Sequence, residues 1–163
     1  MSLISFFKDA GEKLFGKKAQ AAQSGATSDP AAIAAANREA ATAIENYINS
    51  MGLTATGLTV TYDGASATAK VYGIAKDQAT KEKIVLATGN VHGVGAVDDN
   101  MTVDLSQPES KYYTVVKGDT LSKIAKEHYG DANAYQKIFE ANKPMLTHPD
   151  KIYPGQNLRI PPK

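Results

Sequence analysis

The chain is 163 residues long and 42% apolar, with 18 basic against 17 acidic side chains and a formal net charge of +1, room for one large or two small domains. A near-neutral balance without a basic patch excludes non-specific nucleic-acid binding, which needs several neutralised phosphates, and zero cysteines exclude disulfides, thiol nucleophiles and zinc ribbons. No stretch approaches the roughly 20 consecutive apolar residues of a membrane span, so neither nucleic acid nor membrane is expected as a partner.

At the N-terminus Leu3, Phe7, Ala10 and Leu14 recur at helical spacing, with Lys8, Asp9, Glu12 and Lys13 on the other side. This predicts a short amphipathic helix over 3–15, docked on the chain's own core. The same stretch has no basic start and reaches Lys8 and Asp9 too soon for a secretory signal, so a cytoplasmic location is expected. Gly16 to Ser28 shows no periodicity and reads as a flexible connector. Asp29 as cap, Pro30 at the first helical position and the stripe Ile33, Ala36, Ala40, Ile44, Tyr47 and Met51 predict a helix from about 30 to 51, ended by Gly52. Leu58, Val60 and Tyr62 alternate with polar neighbours, Asp63-Gly64 reads as a two-residue turn, and Ala65, Ala67, Ala69 and Val71 alternate beyond it. Pairing 62 with 65 puts both sets on one face of a hairpin. A helix capped by Asp77 runs through Ile84, Ala87 and Thr88 toward Gly89, and Val94, Val97, Met101 and Val103 supply a last strand.

The order over 30–104 is therefore helix, strand, strand, helix, strand, an α+β unit with helices on one sheet face. Leu58-Thr-Val-Thr-Tyr, the hairpin ending at Gly73, and Gly89-Asn-Val-His-Gly-Val followed by Val97-Asp-Asp resemble a BON domain. Residues 105–111 hold Ser, Gln, Pro and Glu without an apolar period and read as a linker between units 1–104 and 112–163. Beyond it, Tyr113-Thr-Val-Val-Lys-Gly-Asp-Thr-Leu-Ser-Lys-Ile-Ala, His128-Tyr-Gly-Asp, Ile138-Phe-Glu-Ala-Asn-Lys-Pro and Ile152-Tyr-Pro-Gly-Gln-Asn-Leu-Arg-Ile-Pro resemble a complete βααβ LysM domain. Thr120 or Asp119 is expected to cap its first helix, Gly130 to stop it, Asn133 with Gln136 to open the second, and Pro154-Gly155 to form a type II turn. Nine basic and five acidic residues from Lys111 onward leave +4, and nine and twelve before it leave −3, which weakly favours docking of the halves.

Catalytic patterns are missing. His92, His128 and His148 lie in three segments without metal-ligand spacing, Gly93-Val-Gly95 lacks the third glycine of a dinucleotide loop, and no nucleophile elbow or Walker loop occurs. A binding protein is expected, not an enzyme. Asp98-Asp99 invites a calcium reading, but adjacent strand residues point to opposite faces, so a solvated strand end is expected. Tyr112, Tyr113, Tyr135, Tyr153 and Phe139 could stack on sugars, yet a domain this small needs most of them as core.

Taken together, the N-terminal Phe-Phe-Lys-Asp-Ala-Gly-Glu-Lys-Leu, one BON and one LysM domain resemble the cytoplasmic potassium-binding proteins of bacteria, except in a connector at about 16 to 37 that looks longer here. The resemblance implies a monomeric K⁺ sensor linked to stress response, its two domains rearranging on binding, with LysM as a docking module for a protein partner. K⁺ is weakly hydrated and suits neutral carbonyl oxygens, which helix C-termini and glycine loops supply. On the family's pattern the backbone oxygens of Phe7, Ala10, Glu12, Gly89, Val91 and Val94 are the expected ligands, with Gly89 at positive φ. An alternative is a cell-envelope protein whose LysM holds N-acetylglucosamine glycan between Gly118, Asp119, Thr120 and Leu121 and the residues near Met145 and Ile152. A further alternative puts phospholipid against the BON domain, with the first helix as anchor.

Overall fold

The first residues of the chain form a strand, not the expected helix. In the computed structural model, which describes residues 2–26 and 28–163, strand β1 (Ser2–Ser5) runs antiparallel to a later strand and pairs Leu3 with Asp98 and Ile4 with Val97. Ile4 packs against the core while Leu3 stays 67% exposed on the other face. Residues 6–15 then continue without a helix, and Gly11 at φ 110° takes a conformation that a helix cannot contain. Helical spacing in the sequence was outweighed by backbone partners waiting on a strand about 95 residues away.

The connector also differs from expectation: Lys17–Gln23 is a helix, α1, whose Ala19 is buried beside Phe15. Its alanine content favours helix at every step, and a short helix of this kind persists by packing. Helix α2 (Pro30–Ser50) follows the prediction, with the Asp29 carboxylate accepting from the Ala31 N–H at 3.1 Å and Ala36, Ala40, Ala41, Ile44 and Ile48 buried.

Strands β2 (Thr56–Asp63) and β3 (Thr68–Asp77) form the hairpin, but Tyr62 pairs with Ala69 and not with Ala65. The turn is longer than two residues, with Ala67 at φ 51° and the Asp63 carboxylate bonding the Ala65 N–H and the Ser66 hydroxyl. The shift is even, so the alternation survives: Val60, Tyr62, Ala69 and Val71 all face the core. Helix α3 (Gln78–Gly89) starts on the Asp77 cap, which accepts from Thr80 N at 2.7 Å, and returns the chain to β4 (Ala96–Leu105), parallel to β3. The sheet order is β1-β4-β3-β2, and helices α2 and α3 bury Ile44, Ile48, Ile84 and Val85 against its inner face.

A second sheet pairs β5 (Lys111–Thr114) antiparallel to β6 (Asn157–Ile160). Helix α4 (Leu121–Tyr129) is capped by Thr120, whose hydroxyl oxygen accepts from Lys123 N, and stopped by Gly130 in the left-handed region. Helix α5 (Tyr135–Ala141) has no side-chain cap, contrary to the reading of Asn133 and Gln136; Asp131 instead caps the 3-10 turn Ala132–Ala134 that leads into it. Gly155 at φ 87° and the bond from Gln156 N to Tyr153 O close the Pro154-Gly155 turn as expected. Val115, Leu121, Ile124, Ile138, Leu146, Leu158 and Ile160 form a second buried cluster. The whole is a mixed α+β chain, and among the described residues no helix is long and apolar enough to cross a membrane.

Candidate functional site

The peptide between β1 and α1 lies against the loop that leaves α3, and backbone groups hold the two together. Phe6 N donates to Gly95 O (2.8 Å), Glu12 N to Asn90 O (2.9 Å), His92 N to Glu12 O (2.8 Å) and Gly93 N to Lys8 O (2.6 Å). Residues 7–12 and 89–94, which the family resemblance implied as two halves of one ligand set, are thus brought together. Of the six expected carbonyls, three already accept hydrogen bonds: Phe7 O from Ala10 N, Glu12 O from His92 N and Val91 O from Val94 N. Among the described residues no donor reaches the oxygens of Ala10, Gly89 or Val94. Gly89, Val91 and Val94 are buried, while Phe7 is 60% exposed.

Two glycines make this approach possible. A Cβ on Gly11 would lie 1.9 Å from the Asn90 carbonyl oxygen, and one on Gly89 would lie 2.0 Å from the Phe6 ring. Gly89 does not adopt the positive φ expected of it; its need for hydrogen at Cα comes from Phe6 pressed against the helix end. Burial, then the charge of Glu12, pushes the phenols of Tyr47 and Tyr153 up to about 12, so both are neutral at pH 7.

Sequence reasoning missed the seam beside this site. Asn90, at the end of α3, donates from Nδ2 to Asn157 O (2.9 Å) and accepts at Oδ1 from Asn157 N (3.0 Å), and Asn157 Nδ2 reaches Ser5 O (3.2 Å). Glu82 on α3 and Arg159 on β6 form an ion pair at 2.7 Å with side chains only 4% and 7% exposed. Gln78 Nε2 and Ser110 N also donate to Glu82, and Arg159 donates to Ala141 O and Ser110 Oγ. Burial pushes the Glu82 carboxyl up, but the hydrogen bonds from Gln78, Ser110 and Arg159 outweigh it and hold the group below its ordinary value. A glutamate in a helix and an arginine in a strand carry no signal of partnership in sequence; a position three residues before Val85 and four before Leu86, on the buried side of the helix, was the only clue.

The remaining candidates are scattered. Asp99 is not solvated as expected: it pairs with Lys81 at 3.2 Å and accepts from Met101 N. His92, His128 and His148 stay in separate places, and among the described residues no group of three His, Cys, Asp or Glu can hold a metal ion. Tyr113, Tyr135 and Phe139 pack on the second core as expected, whereas Tyr112 lies near Glu82 and Tyr153 near Glu12. In the glycan set, Gly118 is exposed, but the Asp119 carboxylate accepts from Tyr113 Oη (2.7 Å) and Val116 N (3.0 Å), Thr120 is a helix cap, and Leu121 is buried. Met145 is contacted through sulfur by Asn90 Nδ2, and Ile152 packs against the second core.

Residues 113–161 match the LysM domain family. An uncharacterized protein of Deinococcus radiodurans is 55% identical over 49 residues, 30% of this chain and 19% of its own length, and the uncharacterized protein YqbP of Bacillus subtilis is 40% identical over 65 residues, 34% of this chain and 30% of its own. A protein of Escherichia coli named potassium binding protein Kbp is 43% identical over 161 residues, covering 99% of each chain. Identity at that level over 99% of both chains shows that this protein belongs to the Kbp family.

Proposed function

We propose that this chain is a K⁺-binding protein of the cytoplasm, not an enzyme, that holds the ion with backbone oxygens of Phe7, Ala10, Glu12, Gly89, Val91 and Val94. The observation that carries the reading is the meeting of two glycine-bearing segments through neutral backbone groups, with the oxygens of Ala10, Gly89 and Val94 left without donors among the described residues. A large, weakly hydrated monovalent ion suits such oxygens, and the end of α3 adds the negative pole of its dipole. The name of the full-length Escherichia coli relative supports the same ion. The first unit corresponds to a BON domain, and ion binding is linked to the LysM unit because Asn90 touches both: its carbonyl accepts from Glu12 N and its side chain is bonded to Asn157.

Calorimetric titration of the full chain with K⁺, Rb⁺, Na⁺, Ca²⁺ and Mg²⁺ tests this. K⁺ and Rb⁺ should bind, and Mg²⁺, which demands short octahedral bonds and dehydrates reluctantly, should not. Preference for Ca²⁺ over K⁺ would overturn the neutral cage. The LysM match supports a second reading, binding of N-acetylglucosamine oligomers, although Asp119 and Thr120 are already engaged within the domain. Titration with a chitin oligomer decides it.

A further inference from the structure

The Gly93 peptide is held on every side, and one of its holders comes from the connector that departs from the family's pattern. Gly93 N donates to Lys8 O at 2.6 Å. Its carbonyl oxygen accepts two donors, the Gln23 amide of α1 at 2.8 Å and the Tyr62 phenol of β2 at 2.8 Å, which uses both of its lone pairs. The residue sits at φ 101°, and a Cβ there would lie 2.8 Å from both Gln23 Nε2 and Phe15 Cε2. The Phe15 ring in turn rests on Tyr62 with centroids 4.9 Å apart, and Gln20 Nε2 ties α1 back to Phe15 O at 2.7 Å.

We infer that Gln23 and Tyr62 are positioning residues for the ion-binding loop, and that helix α1 exists in this chain to deliver Gln23 to it. A peptide unit is planar, so fixing the Gly93 C=O also fixes the Val94 N–H on the other edge of the same plane. That N–H donates to Val91 O at 3.0 Å. Two side chains outside the ligand set therefore orient the Val91 carbonyl, and they turn the Gly93 oxygen away from the ion by satisfying it. Without them a glycine at this position has many backbone orientations available, and the oxygens of Val91 and Val94 lose their mutual spacing. Spacing of oxygens is what a neutral cage has to distinguish K⁺ from the smaller Na⁺, so selectivity depends on α1 as well as on the loop.

This inference rests on the K⁺ reading, and the test separates the two. Full-length Gln23→Glu, which keeps the size of the side chain and removes its N–H donor, and Tyr62→Phe are titrated with K⁺ and Na⁺ beside the unaltered chain and Lys18→Ala, an exposed change on the same helix. Each of the first two should weaken K⁺ binding about 5-fold, the worth of one hydrogen bond, and narrow the K⁺ to Na⁺ ratio, while Lys18→Ala matches the parent. Because both donors meet on one oxygen, the double variant should lose a different factor from the product of the single losses. Thermal melts without ion report folding separately. A parent that fails to bind K⁺ overturns the proposed function; a parent that binds, with Gln23→Glu unchanged in affinity and ratio or changed only in melting temperature, overturns the positioning role.

Discussion

The loop around residues 89–94 and the seam around Glu82 and Arg159 lie on the same helix and its exit, yet they handle polarity in opposite ways. The loop joins its segments through neutral backbone bonds, Glu12 N to Asn90 O and Gly93 N to Lys8 O, and leaves some oxygens unused. The seam buries two full charges and saturates them with Gln78, Ser110 and Ala141. A saturated ion pair is stiff and has nothing to offer a ligand, whereas a neutral cradle with spare carbonyls can take a monovalent cation without first breaking a bond. The seam holds the two units together; the loop is the part we propose for binding.

The largest expected effect separates the two functions completely. Deleting residues 1–15 removes three of the six proposed oxygens together with the bonds from Phe6 and Glu12 to the loop, and K⁺ heats in calorimetry should vanish. Next, Arg159→Met leaves Glu82 buried without its cation, and chemical denaturation should show a loss of about 3–5 kcal/mol. The same pair has a pH signature. The folded Glu82 carboxyl lies below its ordinary 4.5, so its contribution is complete above that pH and is lost as pH falls below it; acid denaturation of Arg159→Met should be flatter there than that of the parent.

Gly11→Ala comes third. The methyl would meet the Asn90 oxygen at 1.9 Å on a backbone at φ 110°, a strain of roughly 1–3 kcal/mol, and it should appear as weaker K⁺ binding because it opens the joint between the segments. Gly89→Val should act in the same direction by displacing Phe6. Smallest is the double change Asp98→Asn with Asp99→Asn. It breaks the Lys81 pair, which lies away from the proposed oxygens, and should leave K⁺ affinity within a few-fold. If the aspartates prove essential for binding while the 1–15 deletion is harmless, the contrast between neutral cradle and charged seam fails.

Local chemistry was enough for much of the chain. Pro30 behind Asp29, Asp77 before α3, Thr120 before α4 and Gly130 after it are written where the helices begin or end, because a cap satisfies backbone groups within three residues of itself. The hairpin's buried face was legible even though its register was not, since period-two alternation is indifferent to an even slip. What only the tertiary structure decided has long sequence separation in common. Residues 2–5 became a strand because β4 offered an edge, α1 became a helix because Phe15 and Gly93 gave it something to pack on, and Glu82 acquired a role from an arginine 77 residues away. The donors that occupy Phe7, Glu12 and Val91, and the lack of any among the described residues for Ala10, Gly89 and Val94, follow from how two distant loops meet. Backbone carbonyls are identical in every residue, so a site built from them leaves its mark in sequence only through the glycines that let the chain come close.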